Sequence, residues 1–241
     1  HLVDGVKFSF NRIHSMIRAI IFDFGGTLAQ TKTPWDTVCN RIAERLEYMD
    51  IKVDPVDLED SIKETIEYRY QQHTLGQELD SYQFFNHALE KSGHSVTVDV
   101  TDELEQMVYD EGYTSFAENL EEVLMTLSEE YMLALLSNAW LEAPRQILRD
   151  HGYGRWFKAM ICSYDIGIPK PDPRIFRHTL DMLGVHQSEA VMVGDSLEAD
   201  IKGALAAGLQ AVLVDDGFSD WSGPKIMELS ELPALLHSLD V

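Results

Sequence analysis

Four short stretches of the 241-residue sequence bring together carboxylates, hydroxyls, glycines and a lysine in combinations suited to an anion or a metal. The first is Phe22-Asp23-Phe24-Gly25-Gly26-Thr27-Leu28. Its glycines let the backbone curl and aim amide groups at an anion, while the Asp23 carboxylate can attack phosphorus or bind a metal. An aspartate before a glycine-rich turn also serves as a plain turn residue, so this stretch alone leaves both roles open. The second, Ser137-Asn138, could contact an anion or cap a following helix. The third, Gly167-Ile168-Pro169-Lys170-Pro171-Asp172-Pro173, sets one lysine in a rigid loop. Asp172 and Pro173 are expected as the N-cap and first residue of a helix, and that structural role leaves Lys170 unexplained. The fourth, Val193-Gly194-Asp195-Ser196-Leu197-Glu198-Ala199-Asp200, gathers acids where a hard cation with oxygen ligands could sit. Acids opening a helix are also stabilised by its dipole, so the alternative is structural. A nucleotide-binding loop is disfavoured, because no GxGxxG or Walker lysine loop stands in the right context.

These residues need elements to hold them. Ala19–Phe24, an apolar run broken by Gly25-Gly26, reads as a buried strand. Similar runs recur at Tyr131–Leu136, Ala159–Cys162, Ala190–Val193 and Ala211–Val214. Helical patterns lie between them at Glu118–Glu130, Ala143–His151, Pro173–Leu183 and Leu197–Ala207, with Gly152, Gly184 and Gly208 as helix stops. Such alternation predicts an α/β fold: a Rossmann-like parallel sheet covered on both faces, with functional loops at the carboxyl ends of its strands. Residues 31–113 depart from it. They read as four amphipathic helices, 35–48, 56–72, 81–91 and 101–109, and are too long for an ordinary crossover. The expected organisation is a core of 16–30 and 114–241 interrupted by a helical subdomain, 31–113. Residues 1–15 read as an upstream or vector-derived extension.

The formal net charge of -22 and pI near 4.6 disfavour nucleic acid and anionic membrane as partners, since both require basic patches. A phosphate site must therefore make its own local positive potential. Cys39 and Cys162 stand alone, without a CxxC or Cys/His cluster, so neither a disulfide framework nor a zinc site is indicated. No stretch approaches the about 18 apolar residues of a membrane span, and the N-terminal segment lacks the features of a signal peptide. A cytoplasmic protein is expected.

Taken together and in order, the four stretches resemble the four motifs of the haloacid dehalogenase superfamily: DxxGTL for the first, Ser137 for the second, Lys170 in KPDP for the third and GDSxxxD for the fourth. The helical segment between the first two resembles that superfamily's subfamily I cap. The resemblance implies a magnesium-dependent phosphatase acting on a small phosphorylated molecule, in which Asp23 forms a phosphoaspartyl intermediate. It implies magnesium held by Asp23, the Gly25 backbone carbonyl and Asp195, with Asp200 behind them. It assigns the phosphoryl oxygens to Gly26, Thr27, Ser137 and Lys170, with Asn138 beside them.

One position breaks the pattern. Phosphatases of this superfamily normally carry a second aspartate two residues after the nucleophile, as general acid and base, and here it is Gly25. That help is commonly worth about a hundred- to ten-thousand-fold, or roughly 3 to 5 kcal/mol of barrier. A substrate with a good leaving group, a substitute acid such as His73 or Tyr70, or a slowly turning phosphate-binding protein would each accommodate the loss. Dehalogenases of the superfamily put a bulky residue at the Gly25 position. Phosphonate hydrolases put a small one there and use a cap lysine, for which Lys52 and Lys63 are the candidates. A non-catalytic binder would not need both Asp23 and Asp195, which favours an enzyme.

Overall fold

The apolar runs that end at the four motifs become neighbours in one sheet. The computed structural model describes residues 16–30, 33–112, 115–215 and 217–239. The strands are β1 (Ala19–Phe22), β2 (Ala29–Gln30), β3 (Ser115–Phe116), β4 (Met132–Ser137), β5 (Phe157–Cys162), β6 (Ala190–Gly194), β7 (Gln210–Val214) and β8 (Lys225–Ile226). Six of them form a parallel sheet in the order β5-β4-β1-β6-β7-β8, while β2 and β3 make a separate antiparallel pair. Register is tight at the centre, where Phe22 pairs with Leu135 on one side and Val193 on the other. β1 is therefore flanked by the strand that ends in Ser137 and the strand that leads into Asp195.

Burial on both faces explains the unbroken apolar runs. Side chains alternate along a strand, so Ile20 and Phe22 enter one core cluster and Ala19 and Ile21 the other. Leu120 and Leu124, Ile147 and Leu148, and Leu232 and Leu236 cover the first face; Ile175, Phe176 and Ala204 cover the second. Gly152, Gly184 and Gly208 adopt the positive φ values of 78°, 67° and 89° suited to helix stops.

Between β2 and β3 lie four helices: α1 (Trp35–Tyr48), α2 (Pro55–Thr74), α3 (Ser81–Glu90) and α4 (Val98–Gly112). Among the described residues 33–112 there is no strand. Asp54 caps α2 ahead of Pro55, and an Asp80/Gln83 capping box opens α3. Val38, Ile42 and Leu46 of α1 pack with Leu58, Ile62, Phe84, Leu89 and Leu104. The core helices are α5 (Leu120–Ser128), α6 (Ala143–Asp150), α7 (Pro173–Leu183), α8 (Gly203–Ala206) and α9 (Leu232–Leu239).

Several elements differ from expectation. The helix expected at Leu197–Ala207 is a π-helical stretch, Leu197–Lys202, that tightens into α8. The two-residue strands β2, β3 and β8 are too short to show a periodicity, and α9 was not foreseen. No described helix is long and apolar enough to cross a membrane. Residues 1–15 and the expected junction at Tyr113 lie outside the described residues.

Candidate active site

Asp23 follows β1 directly, and its amide donates to Val193 O at 2.9 Å, which ties it to the end of β6. The chain then curls: Leu28 N and Ala29 N donate to Phe24 O at 2.9 and 3.0 Å, and Gly26 N to Ala29 O at 2.9 Å. Gly26 must be glycine for two reasons. Its φ is +74°, and a Cβ there would stand 2.1 Å from Asp195 Oδ2. Gly25 is unlike it, lying outside the left-handed region with nothing within 4 Å of the position a Cβ would take. A Cβ can therefore be accommodated at the position of the absent acid.

Lys170 reaches the centre of the site from the loop before α7, only 2% exposed. Its ammonium donates to Asp23 Oδ1 at 2.7 Å, Asp200 Oδ1 at 2.6 Å and Leu136 O at 2.7 Å. Those three bonds use its three protons, so it orients Asp23 directly and lends charge rather than a spare donor. Asn138 locks the Lys170 main chain, accepting from Lys170 N at 2.7 Å and donating to Lys170 O at 2.9 Å. This occupies the amide group expected to stand beside a phosphate. Ser137 closes β4 and is not a helix cap, since α6 begins only at Ala143 with Glu142 at its cap. Asp172 does cap α7, accepting from Arg174 N at 2.9 Å, with Pro173 as the first helical residue.

The wide π-helical turn after β6 lets Asp200 point back toward β1. Ser196 N donates to its Oδ2 at 3.0 Å while Lys170 takes Oδ1. Asp23, Asp195 and Asp200 each offer a carboxylate oxygen within 4.8 Å of the others. Three acids thus face one ammonium. Burial, opposed by Lys170 but reinforced by Asp200 and Asp195, pushes the Asp23 carboxyl up to about 7. Asp195 is also raised, by loss of surrounding water and by the charge of Asp200. Burial would lower Lys170, yet Asp200 and Asp23 outweigh it and hold the ammonium firmly protonated. Excess negative charge here suits a divalent cation with oxygen ligands. The Thr27 hydroxyl is buried without a hydrogen-bond partner, as befits a group kept for a ligand.

The other candidates fall elsewhere. His73 Nε2 is 3.0 Å from both carboxylate oxygens of Glu78, and Tyr70 is 61% exposed with its ring against His73. Lys63 is exposed and paired with Glu59 and Asp60; its hydrogen bond to Glu59 raises its pKa, the reverse of what an amine nucleophile needs. Lys52 is exposed. Sequence reasoning missed Glu78, Arg69 and Ser163, which lie where the helical insertion meets the core. A signal was present: Leu58, Ile62, Thr65 and Arg69 share the inward face of α2 at spacings of four, three and four residues, so a cation occupies a core position.

A parallel sheet bearing an aspartate at the end of its central strand, with a buried lysine and further acids at the adjoining strand ends, defines the class. The model of haloacid dehalogenase-like hydrolases matches residues 17–208, and the chain belongs to that family of hydrolases. It is 35% identical over 135 residues to the N-acylneuraminate-9-phosphatase of Rattus norvegicus, a match covering 53% of this chain and 54% of the relative. It is 45% identical over 85 residues to the phosphoserine phosphatase of Thermus thermophilus, covering 35% of this chain and 34% of that protein. The chain thus spans about half or less of these two relatives. The 2-haloacid dehalogenase of Pseudomonas syringae shares the fold, with a TM-score of 0.69 and 23% identity over 92% of this chain and 99% of that one.

Proposed function

We propose that this hydrolase is a magnesium-dependent phosphatase of a small phosphorylated molecule, with Asp23 as nucleophile. The observation that carries the reading is the gathering of three carboxylates within 4.8 Å of one another at adjoining strand ends, two of them bonded to the buried Lys170 ammonium. Asp23, the Gly25 backbone carbonyl and Asp195 would hold the magnesium, which when bound offsets the repulsion between an anionic nucleophile and an anionic phosphate. Asp200 holds Lys170 from behind. The Thr27 hydroxyl and Ser137 are the groups offered to the phosphoryl oxygens, whereas the amide of Gly26, expected among them, is spent on Ala29 O. Asp23 attacks phosphorus, the bond to the leaving oxygen breaks, and an aspartyl phosphate forms. Water then cleaves that acyl phosphate and restores the carboxylate. Residues 31–113 act as a cap over the strand ends, excluding water from the intermediate.

Gly25 gives the substrate a distinctive chemistry. With no side chain there to protonate the departing oxygen, the favoured substrates are those whose leaving groups depart as anions, such as acyl or aryl phosphates. The phosphonate reading loses support from Lys63, which is exposed and protonated. A screen of phosphorylated metabolites with and without magnesium tests the proposal. Release of inorganic phosphate only with magnesium is expected, and phosphate release that is indifferent to a chelator would overturn it.

A further inference from the structure

Among the described residues a second buried charge cluster sits where the helical insertion meets the core, and it reaches toward the candidate active site. Glu78, in the loop between α2 and α3, has a side chain with 0% exposure. Its carboxylate accepts Arg69 Nε at 2.6 Å and Arg69 Nη2 at 2.7 Å, a bidentate pair, with His73 Nε2 3.0 Å away. Those partners belong to α2. The next one does not: the Ser163 hydroxyl, just after β5, donates to Glu78 Oε2 at 2.5 Å. The Glu78 amide also donates to Gly167 O at 3.0 Å, in the loop that leads to Lys170.

Ser163 passes the contact on. Its oxygen accepts from Ala139 N at 2.9 Å. Ala139 O lies 3.2 Å from the same hydroxyl but already accepts from Tyr164 N at 3.2 Å. A hydroxyl has one proton, and the shorter, charged acceptor takes it. Ala139 directly follows Ser137 and Asn138, and Asn138 clamps both ends of the Lys170 peptide. Trp140 stacks on Phe84 of α3 with ring centroids 4.2 Å apart, so the same loop is held from the insertion by an aromatic contact as well.

We infer that Glu78 is a positioning residue: through Ser163 it couples the docked helical insertion to the loop that fixes Ser137, Asn138 and Lys170. Arg69 and His73 hold the carboxylate inside the insertion, and Ser163 is the point at which its position is transmitted to the core. Undocking breaks the Ser163 and Gly167 bonds together; the Ser163 oxygen that accepts the Ala139 amide is then no longer held by Glu78, and the clamp on Lys170 loosens. Only the rate readout of this inference rests on the phosphatase reading.

Backbone amide exchange on the full chain tests it without any substrate. In Glu78→Gln the amides of Ala139 and Lys170 are expected to exchange about tenfold faster or more, with those of Ile21 and Met192 unchanged. Ser163→Ala leaves the Arg69–His73–Glu78 group intact and is expected to speed Lys170 exchange by a similar factor. In parallel, kcat for p-nitrophenyl phosphate with magnesium should fall about tenfold in each variant while KM moves less than about threefold. Adding Glu78→Gln to Ser163→Ala should cost less than about twofold more, because both act through one link. Unchanged Lys170 exchange in a folded Ser163→Ala chain, or fully multiplicative losses in the double variant, overturns the inference. If the parent chain cleaves no p-nitrophenyl phosphate, the exchange result still decides it, and should Glu78→Gln fail to fold, Ser163→Ala decides it alone.

Discussion

Two buried charge clusters, built from nearly the same ingredients, have opposite balances. At the strand ends, the carboxylates of Asp23, Asp195 and Asp200 lie within 4.8 Å of one another beside one ammonium, Lys170, which of these acids bonds only Asp23 and Asp200, and the Asp23 carboxyl is pushed up to about 7. At the junction, one carboxylate is shared by a guanidinium and an imidazole. Burial alone would raise Glu78, but the bonds from His73 and Arg69 outweigh it and hold the carboxyl at about 2. The difference separates a site that still needs positive charge from one that has enough. An uncompensated buried acid calls for a cation, whereas a fully bonded ion group fastens one part of the fold to another.

The largest effect expected at the acid-rich cluster comes from Asp23, the proposed nucleophile. Asp23→Asn keeps the shape but removes the attacking oxygen's charge, and turnover of p-nitrophenyl phosphate should fall roughly a thousandfold or more. Circular dichroism unchanged from the parent chain separates this from misfolding, and retention of more than a few per cent of the rate would remove Asp23 from the mechanism.

Next is the cation itself. Saturating magnesium should raise the thermal midpoint of the parent chain by several degrees, since a ligand at about 100 times its Kd stabilises by about 2.7 kcal/mol. Asp195→Asn should abolish most of that shift, and chelator should silence the enzyme until magnesium is restored. Equal shifts in the two chains would discard Asp195 as a ligand.

Gly25→Asp sharpens the contrast within the first cluster. A Cβ has room there, with no atom beyond the chain neighbours within 4 Å of it and no left-handed backbone to strain. The variant should gain roughly ten- to a hundredfold on alkyl phosphates and far less on aryl phosphates, because a positioned acid helps most where the departing oxygen is most basic. Equal rates to the parent on both substrate kinds would show that the acid is supplied elsewhere or is not needed.

The junction cluster predicts a pH dependence of stability. Glu78 titrates near 4.5 when unfolded and near 2 when folded, so the folded state binds fewer protons between those values. Its stabilisation is fully present above the unfolded value and is lost as pH falls through the folded one. Urea midpoints of the parent chain should therefore drop between about pH 5 and pH 2, and Glu78→Gln should flatten that limb. Parallel limbs would mean that Glu78 is not the group lost. Smallest of all, Lys63→Ala should change turnover by less than about twofold, as expected of an exposed ion pair, and borohydride should trap no adduct at Lys63. A trapped adduct would revive the phosphonate reading.

Much of this was legible in the sequence. The buried parallel strands announced themselves because both of their faces are apolar, so Ala19–Phe22 and Ala190–Gly194 read as unbroken runs. The order of the motifs at strand ends led to Asp23, Lys170 and Asp195, because a parallel sheet puts the carboxyl ends of its strands on one side. The helices of the insertion were found within a few residues from their amphipathic periods. Three features could only come from tertiary structure. Asp200 and Asp23 are far apart in sequence, and Lys170 joins them because a π-helical turn swings Asp200 back beneath β6. Gly25 and Gly26 are adjacent and alike in the sequence, yet only Gly26 is pressed by Asp195, and that depends on where another strand ends. Glu78 meets Ser163 across 85 residues of chain. Local pattern records what each residue prefers nearby; which charges share a buried space is decided by packing, and no period in the sequence carries that pairing.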